Sequence, residues 1–234
     1  ILVIPEAMGQ PYRFRNGGGI EMAYKLNSRE KVEKLIDKSV ADKLRYVGDA
    51  IELLQKELRQ EKALIGFGGS PWTIATYMVE GGSSKDYAGI KTMFYTDFKL
   101  FNSLLEKITN SLIMYFEMQI QSGVDVIQIF DSWAGILTPN TYWQASGQYI
   151  HRIVQKIGDR IPVIVFAKGA HHWKSELLRT EAPVLGLDWT YPIAKFYDEL
   201  HGCVAVQGNL DPVLLSTTPD VVVQETQALL KSMK

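Results

Sequence analysis

The stretch that decides the fold is residues 126–139, VIQIFDSWAGILTP. Residues 126–130 form an almost uninterrupted apolar run, and the run stops abruptly at Asp131, Ser132 and Trp133. A strand that is covered on both faces has a continuous apolar sequence, whereas a half-exposed strand alternates. This stretch therefore predicts a buried strand of the parallel type, with polar groups delivered at its carboxyl end.

Similar apolar runs recur along the chain and alternate with helical patterns, in which apolar residues are spaced three or four apart. The predicted strands are 1–4, 63–67, 125–130, 161–166, 184–187 and 204–207. The predicted helices are 40–61, 98–121, 140–157, 171–180, 192–200 and 219–232. No linker rich in Gly, Ser or Pro separates the units, so we expect one α/β domain over 1–234.

Local signals support two helix starts and one loop. Thr138-Pro139 and Thr218-Pro219 each place a capping hydroxyl before a proline at the first helical position. Segment 10–28 contains Gly17-Gly18-Gly19 and predicts a long loop or a hairpin. Loops of that length in a compact domain are often functional.

Two architectures accept repeated strand–helix units: the open doubly wound sheet and the eight-stranded barrel. A doubly wound nucleotide-binding domain should have a glycine fingerprint after its first strand. The nearest candidate is GFGGSPWT at 66–73. It does not fit, because the third glycine is missing and Pro71 lacks the backbone N–H that would bind a phosphate. We therefore favour the barrel. The glycines at 66–69 predict a tight strand-to-helix turn whose backbone approaches a ligand.

Charge and cysteine content narrow the functional classes. The chain has 25 Lys and Arg against 26 Asp and Glu, a net charge of −1, which gives no general attraction for nucleic acid or a membrane surface. The single Cys203 excludes an intrachain disulfide and suits a reducing compartment. The opening ILVIPEAMGQ is neither a signal peptide nor a membrane anchor, and we expect that it enters a strand in the middle.

Polar residues follow several predicted strands. In a barrel the carboxyl ends of the strands converge on one face, so these residues would surround a common mouth. The alternative is that each is a helix cap or a loop hydrogen-bonding group. The residues are Asp131, Ser132, Lys168, Asp188, Trp189, Gln207, Asn209 and Asp211.

Three other candidates carry less weight. His171-His172 has no third metal ligand at a useful spacing, so we expect a solvated helix start. Cys203 has no CxxC partner and is expected to be a core or near-core thiol rather than a nucleophile. Ser132 lies in no GxSxG motif, so we expect it to bind by hydrogen bonding rather than to attack.

Four motifs together resemble the uroporphyrinogen decarboxylase family, in the family's order and with similar spacing. They are GFGGSPWTIATYMVEGGSS (66–84), IFDSWAGILTP (129–139), VLGLDW (184–189) and VQGNLDP (206–212). The opening ILVIPEAMG is similar to the family's second strand and the turn after it. The resemblance covers nearly the whole sequence.

This resemblance implies a cytoplasmic (β/α)₈ barrel, usually a homodimer, with no metal or organic cofactor, no nucleic acid partner and no membrane. Its substrate would be uroporphyrinogen, from which CO₂ is removed at the four acetate side chains. Such an enzyme needs a proton donor, a carboxylate for the pyrrole N–H groups, and positive charge and hydroxyls for the remaining carboxylates.

The resemblance also assigns residues. Tyr77 matches the active-site tyrosine that hydrogen-bonds the substrate near a reacting acetate, and Ser132 matches a serine that binds a substrate carboxylate. Phe67 and Phe130 match aromatic residues that line the cleft. The alternatives are a satisfied hydroxyl for Tyr77 and plain core packing for the phenylalanines. We expect Asp131, Asp188 and Asp211 to shape the barrel mouth rather than to transfer protons.

The sequence departs from the family at its ends. The family's catalytic aspartate stands immediately before a stretch like ILVIP, and its arginine pair and a Gly-His-Gly histidine lie in segments that this sequence does not show. We therefore expect about six of eight strand–helix units, truncated at both ends. Two other functions stay open: a corrinoid-linked methyltransferase of the same barrel, which would need a zinc site, and an inactive relative that only binds tetrapyrrole.

Overall fold

The fold is centred on a five-stranded parallel sheet. The computed structural model describes residues 1–58 and 61–233. The strands are β1 (Tyr12–Phe14), β2 (Ile20–Met22), β3 (Ile65–Gly69), β4 (Val126–Asp131), β5 (Val163–Ala167), β6 (Val184–Gly186) and β7 (Ala205–Gln207). β1 and β2 form a separate antiparallel hairpin, and the sheet has the order β3-β4-β5-β6-β7, each strand parallel to the next.

This strand order distinguishes the two expected architectures. An open doubly wound sheet reverses its order at a switch point, whereas these five strands follow one another without reversal. Right-handed crossovers between strands in such an order place the connecting helices on one face, as in a (β/α)₈ barrel. The predicted α/β fold class, part of a (β/α)₈ barrel, is therefore confirmed.

Helices cover the outer face of the sheet and form most of the connections between its strands. The first six are α1 (Val3–Ala7), α2 (Arg29–Glu33), α3 (Val40–Lys43), α4 (Arg45–Leu58), α5 (Pro71–Glu80) and α6 (Ala88–Thr96). The other six are α7 (Phe98–Gln121), α8 (Pro139–Tyr142), α9 (Gln148–Ile157), α10 (Lys174–Leu178), α11 (Ile193–Glu199) and α12 (Pro219–Ser232). Single 3₁₀ turns lie at Ala134–Ile136 and Pro212–Ser216.

The predicted bounds of α7 and α12 are confirmed, because both helices have clear start signals and strong apolar spacing. Asp97 caps α7 by accepting a hydrogen bond from Leu100 N at 3.0 Å. The predicted helix 40–61 is interrupted at Leu44, which separates α3 from α4. Residues 59 and 60 of that prediction lie outside the described residues.

The predicted helix 140–157 contains an irregular turn. Thr138 precedes α8, and its N–H donates to Thr141 Oγ1 at 3.0 Å. One turn of π-helix, Trp143–Gly147, then joins α8 to α9. Such turns insert an extra residue and are frequent at functional sites, because they change which side chains face the core.

The predicted strand at 1–4 is wrong. Residues Val3–Ala7 are helical, Met8 N donates to Ile4 O at 2.9 Å, and Ile4 is fully buried. A run of four apolar residues cannot distinguish a strand from a buried helical turn by periodicity alone. The sheet therefore has five parallel strands in the described residues, not the six that we expected.

The glycines of β3 and the phenylalanine between them show which face of the sheet lies toward the outer helices. A Cβ on Gly66 or Gly68 would lie 2.7 Å from Gln119 Oε1 or 2.8 Å from Phe116 Cζ, both on α7. These glycines therefore face the outer helices and allow close packing of α7, which corrects the expectation that they form a turn at a ligand. Phe67 lies between them and faces the barrel interior.

No helix among residues 1–58 and 61–233 combines the length and the apolar character that crossing a bilayer requires.

Candidate active site

The carboxyl ends of the sheet strands are joined by hydrogen bonds. Lys168 N donates to Asp131 O at 3.2 Å, which connects the ends of β4 and β5. Gly169 N donates to Asp188 Oδ2 at 2.6 Å, and Asn209 Nδ2 donates to Asp188 O at 2.7 Å. The polar residues that follow the strands thus meet at one end of the barrel, as predicted.

A row of aromatic side chains lines the interior near this end. The ring centroids of Phe67 and Phe130 are 5.9 Å apart with an interplanar angle of 87°. Phe130 and Phe166 are 5.8 Å apart at 63°. Both are edge-to-face contacts, which aromatic pairs prefer. Phe67 is 50% exposed, so its ring is available to a ligand that enters the mouth.

Gln119 of α7 holds the backbone of Phe67. Phe67 N donates to Gln119 Oε1 at 3.0 Å, and Gln119 Nε2 donates to Phe67 O at 3.2 Å. The Gln119 side chain is buried, so its amide satisfies both peptide groups of a residue in the first strand of the sheet. The orientation of Phe67 is therefore determined by α7 from the outside.

Below the aromatic row, a polar pair crosses the interior. Gln128 lies two residues before Phe130 and shares its face of the sheet. Gln128 Nε2 donates to Gln207 Oε1 at 3.2 Å, which joins β4 to β7. The interior is thus aromatic near the mouth and hydrogen-bonded one layer deeper.

Tyr77 and Ser132 belong to segments that pack against each other. Tyr77 is on α5, and its ring lies 6.1 Å from that of Trp133, the residue after Ser132. Trp72 Nε1, also on α5, donates to Trp133 O at 3.0 Å. Tyr77 and Ser132 are both partly buried. Among the described residues no ring contact joins Tyr77 to Phe67 or Phe130.

Asp131 is fully buried and accepts three hydroxyl hydrogen bonds. Ser70 Oγ and Thr73 Oγ1 donate to its Oδ1 at 2.7 and 3.0 Å, and Ser146 Oγ donates to Oδ2 at 2.7 Å. Burial raises the pKa of Asp131, and the hydroxyls oppose that rise only in part. The carboxylate points into the protein rather than toward the mouth, in agreement with a structural role.

Asp188 and Asp211 also use their carboxylates internally. Burial acts to raise the pKa of Asp188, but hydrogen bonds from Thr190 and from Gly169 N outweigh it, so the pKa lies below its usual value. Asp211 Oδ1 accepts from Val213 N at 2.9 Å and caps the 3₁₀ turn that follows. Lys168 stays exposed, with its Nζ 5.5 Å from the centroid of the Trp189 ring.

Two sequence predictions, for the His171-His172 pair and for Cys203, are wrong at least in part. His172 is exposed as expected, but His171 is buried, its ring stacks on Tyr191 at 4.7 Å and 23°, and α10 begins only at Lys174. Burial and the neighbouring His172 lower the pKa of His171. Cys203 is exposed rather than near the core, because the chain there forms a turn before β7. In the part of the chain that the structure describes, no three His, Cys, Asp or Glu side chains gather as metal ligands.

The sequence interpretation missed the residues that surround Asp131. Ser70-Pro71 is the same hydroxyl-proline signal as Thr138-Pro139, and it would have predicted that a helix begins at Pro71. Ser70 Oγ indeed accepts from Thr73 N at 3.0 Å as a helix cap. Ser146 gave no such signal, because its contact with Asp131 depends on the π-helical turn.

The fold and the site together define the class: a protein with part of a (β/α)₈ barrel, in which aromatic side chains line the interior near the carboxyl ends of the strands. The family model for uroporphyrinogen decarboxylase (URO-D) matches residues 1–234. The chain belongs to the uroporphyrinogen decarboxylase family.

Similar proteins agree with this assignment. Uroporphyrinogen decarboxylase from Photorhabdus laumondii is 42% identical, over 99% of this chain and 67% of that protein. The protein of the same name from Alkalilimnicola ehrlichii is 42% identical, over 98% of this chain and 64% of that protein. The chain thus spans about two thirds of the length of these curated relatives. A methyltransferase from Methanosarcina mazei has a TM-score of 0.84 at 16% identity, over 99% of this chain and 69% of that one, which shows a shared fold.

Proposed function

We propose that this protein removes CO₂ from the four acetate side chains of uroporphyrinogen III and gives coproporphyrinogen III, a carboxy-lyase reaction of haem and tetrapyrrole biosynthesis. The observation that carries the proposal is the 42% identity to a uroporphyrinogen decarboxylase over 99% of this chain. The likeness to a methyltransferase supports only the fold, because the identity there is 16%.

The chemistry suits a site built from side chains alone. A proton added to the pyrrole carbon that bears the acetate makes the ring cationic, and this cation is the electron sink. The bond between the acetate CH₂ and its carboxylate then breaks, CO₂ leaves, and the electron pair forms an exocyclic double bond. Protonation of that methylene and loss of the ring proton give the methyl group and restore the pyrrole.

The mouth of the barrel offers groups for binding this substrate. Tyr77 is proposed as the phenol that hydrogen-bonds the substrate near the reacting acetate, and Ser132 as the hydroxyl that binds another carboxylate. Phe67 and Phe130 are proposed as walls, since apolar surfaces exclude water and strengthen the polar contacts beside them. Their edge-to-face contact and the exposure of Phe67 support that role.

Several finer features are part of the same proposal. We propose that residues 1–234 belong to a single barrel domain and that the enzyme is a cytoplasmic homodimer. We also propose that it uses neither a metal nor an organic cofactor. The support for these features is membership of the family and the resemblance on which they were expected.

The direct test is incubation of the full-length protein with uroporphyrinogen III under anaerobic, reducing conditions, followed by separation of products by their number of carboxyl groups. We expect heptacarboxylate and lower species that end in the tetracarboxylate. The absence of every product with fewer than eight carboxyl groups would contradict the proposal.

A further inference from the structure

We propose that Asp131 is a positioning residue for the decarboxylation: through Thr73 and Ser70 its buried carboxylate fixes the Ser132-Trp133 turn against the start of α5, the helix that carries Tyr77. This inference rests on the proposed function. It assigns a role to a group that lies next to the proposed substrate-binding serine but does not itself face the mouth.

Ser70, the capping residue of α5, links Asp131 to the start of that helix. Ser70 Oγ accepts a hydrogen bond from Thr73 N at 3.0 Å and donates one to Asp131 Oδ1 at 2.7 Å. Ser70 N also donates to Phe130 O at 2.9 Å, so the helix begins in contact with the end of β4. A single hydroxyl thus caps the helix and holds it to Asp131.

Thr73 makes a second link to Asp131. Its Oγ1 donates to Asp131 Oδ1 at 3.0 Å and accepts from Trp133 N at 3.3 Å. The hydroxyl therefore lies between Asp131 and the peptide group that immediately follows Ser132. Any shift of Thr73 relative to Asp131 moves the Ser132 backbone with it.

Ser146 completes the set from a third direction. It lies in the π-helical turn Trp143–Gly147, and its Oγ donates to Asp131 Oδ2 at 2.7 Å. Ser70, Thr73 and Ser146 are all fully buried, as is Asp131. One carboxylate therefore joins the end of β4 to the start of α5 and to the turn between α8 and α9.

Burying the Asp131 carboxylate costs free energy, and this cost favours a specific role for the residue. A buried carboxylate is expensive unless it is paired or fully hydrogen-bonded, and among the described residues no Lys or Arg forms an ion pair with Asp131. The hydroxyls of Ser70, Thr73 and Ser146 donate to its oxygens instead, and the Tyr142 hydroxyl lies beside it. Networks of this kind fix one geometry, because each partner leaves an unsatisfied buried group if it moves.

The consequence for the reaction is geometric. The Trp133 ring packs between α5 and the residue that precedes α6, 6.1 Å from the Tyr77 ring and 5.0 Å from the Tyr87 ring. If the connection loosens, Ser132 and Tyr77 change their separation although neither residue is altered. A misplacement of about 1 Å in such a site can lower the rate by up to about 100-fold.

The experiment compares two isosteric substitutions in full-length protein. Thr73→Val removes the hydroxyl that joins Asp131 to Trp133 N. Thr76→Val is the matched control, because Thr76 is equally buried on the same helix and its Oγ1 reaches only Thr73 O, at 2.6 Å. We expect Thr73→Val to lower kcat/KM for uroporphyrinogen by roughly 10- to 100-fold and Thr76→Val to leave it within about twofold of the wild type.

A double-mutant cycle separates positioning from a general loss of stability. If Thr73 acts through Ser132, Thr73→Val should have little further effect in a Ser132→Ala background, since the group that it positions is gone. Effects that multiply would show that Thr73 acts independently of Ser132 and would overturn the inference. Asp131→Asn should retain more activity than Asp131→Ala, because the amide oxygen can still accept from Ser70 and Thr73.

Hydrogen–deuterium exchange of the segment 131–137 provides a readout that does not depend on catalysis. We expect faster exchange in Thr73→Val and unchanged exchange in Thr76→Val, and equal exchange in the two variants would overturn the inference. An inactive wild-type enzyme would contradict the proposed function, and the exchange result alone would then decide whether Asp131 holds the turn. An active wild type with equal kcat/KM in both variants would overturn only the positioning role.

Discussion

The ring of Tyr77 lies 6.1 Å from the ring of Trp133, centroid to centroid, at an interplanar angle of 57°. Because Trp133 directly follows Ser132, this contact relates the two residues to which we assign substrate hydrogen bonds. One comes from the helix after β3 and the other from the turn after β4. The helix after β3 and the turn after β4 thus meet at Tyr77 and Trp133.

Tyr77→Phe should lower kcat while the fold is retained, because it removes only the phenolic oxygen. Loss of one hydrogen-bond donor at a reacting centre lowers kcat by about 10²-fold in comparable sites. The control is Tyr95→Phe on α6, where the ring is 68% exposed. Wild-type turnover in Tyr77→Phe, measured by product formation, would remove Tyr77 from the site.

Ser132→Ala should raise KM more than it lowers kcat, because a hydroxyl that binds a carboxylate away from the reacting carbon contributes to the ground state and the transition state alike. Loss of such a hydrogen bond corresponds to about a tenfold change in KM. Ser175→Ala, an exposed serine on α10, provides the comparison. An unchanged KM for uroporphyrinogen in Ser132→Ala would refute the assignment.

Gln119→Leu should destabilise the fold by about 1–3 kcal/mol, since the peptide N–H and C=O of Phe67 both lose their partner. Gln121→Leu changes an exposed glutamine of the same helix, and its free energy of unfolding should stay close to that of the wild type. Urea denaturation of both variants measures the difference. Equal stability in the two variants would show that Gln119 does not hold Phe67.

The raised pKa of Asp131 predicts that the free energy of unfolding depends on pH in a definite direction. Because burial raises its pKa in the folded protein above the ordinary value of 3.8, the unfolded chain gives up this proton at lower pH than the folded protein does. The stability that comes from this group is therefore complete below pH 3.8 and is lost as the pH rises through the folded pKa.

Asp131→Asn removes this titration while it keeps the side-chain shape. The free energy of unfolding of the wild type relative to Asp131→Asn should therefore fall as the pH rises above 3.8. Urea denaturation of both proteins across a series of pH values measures it. A relative stability that stays constant, or that rises with pH, would contradict the raised pKa.

The parts of the fold that local sequence determines were predictable. The polar stop after Phe130 correctly indicated a strand end at the barrel mouth. The bounds of α7 followed from its apolar spacing, and the start of α12 followed from the signal Thr218-Pro219. The four-residue run at 1–4 was misinterpreted as a strand, because so short a pattern fits a buried helical turn equally well. Apolar periodicity distinguishes helix from strand in long segments but not in a run of only four residues.

The surroundings of Asp131 and His171 could not be predicted from sequence spacing, for a different reason. Ser70 and Asp131 are 61 residues apart, and their hydrogen bond exists only because β3 and β4 are neighbours in the sheet. His171 is buried by Tyr191, which follows the next strand. Contacts between neighbouring strand ends become visible only when the strand order is known.

The most direct test of the central claim uses uroporphyrinogen III labelled with ¹³C in the acetate carboxyl groups, with a second sample labelled in the propionate carboxyl groups. Full-length protein is incubated with each sample under anaerobic conditions, and labelled CO₂ is measured. We predict four labelled CO₂ per acetate-labelled substrate and none from the propionate-labelled sample. No labelled CO₂ from the acetate-labelled sample, or release from the propionate groups, would contradict the account.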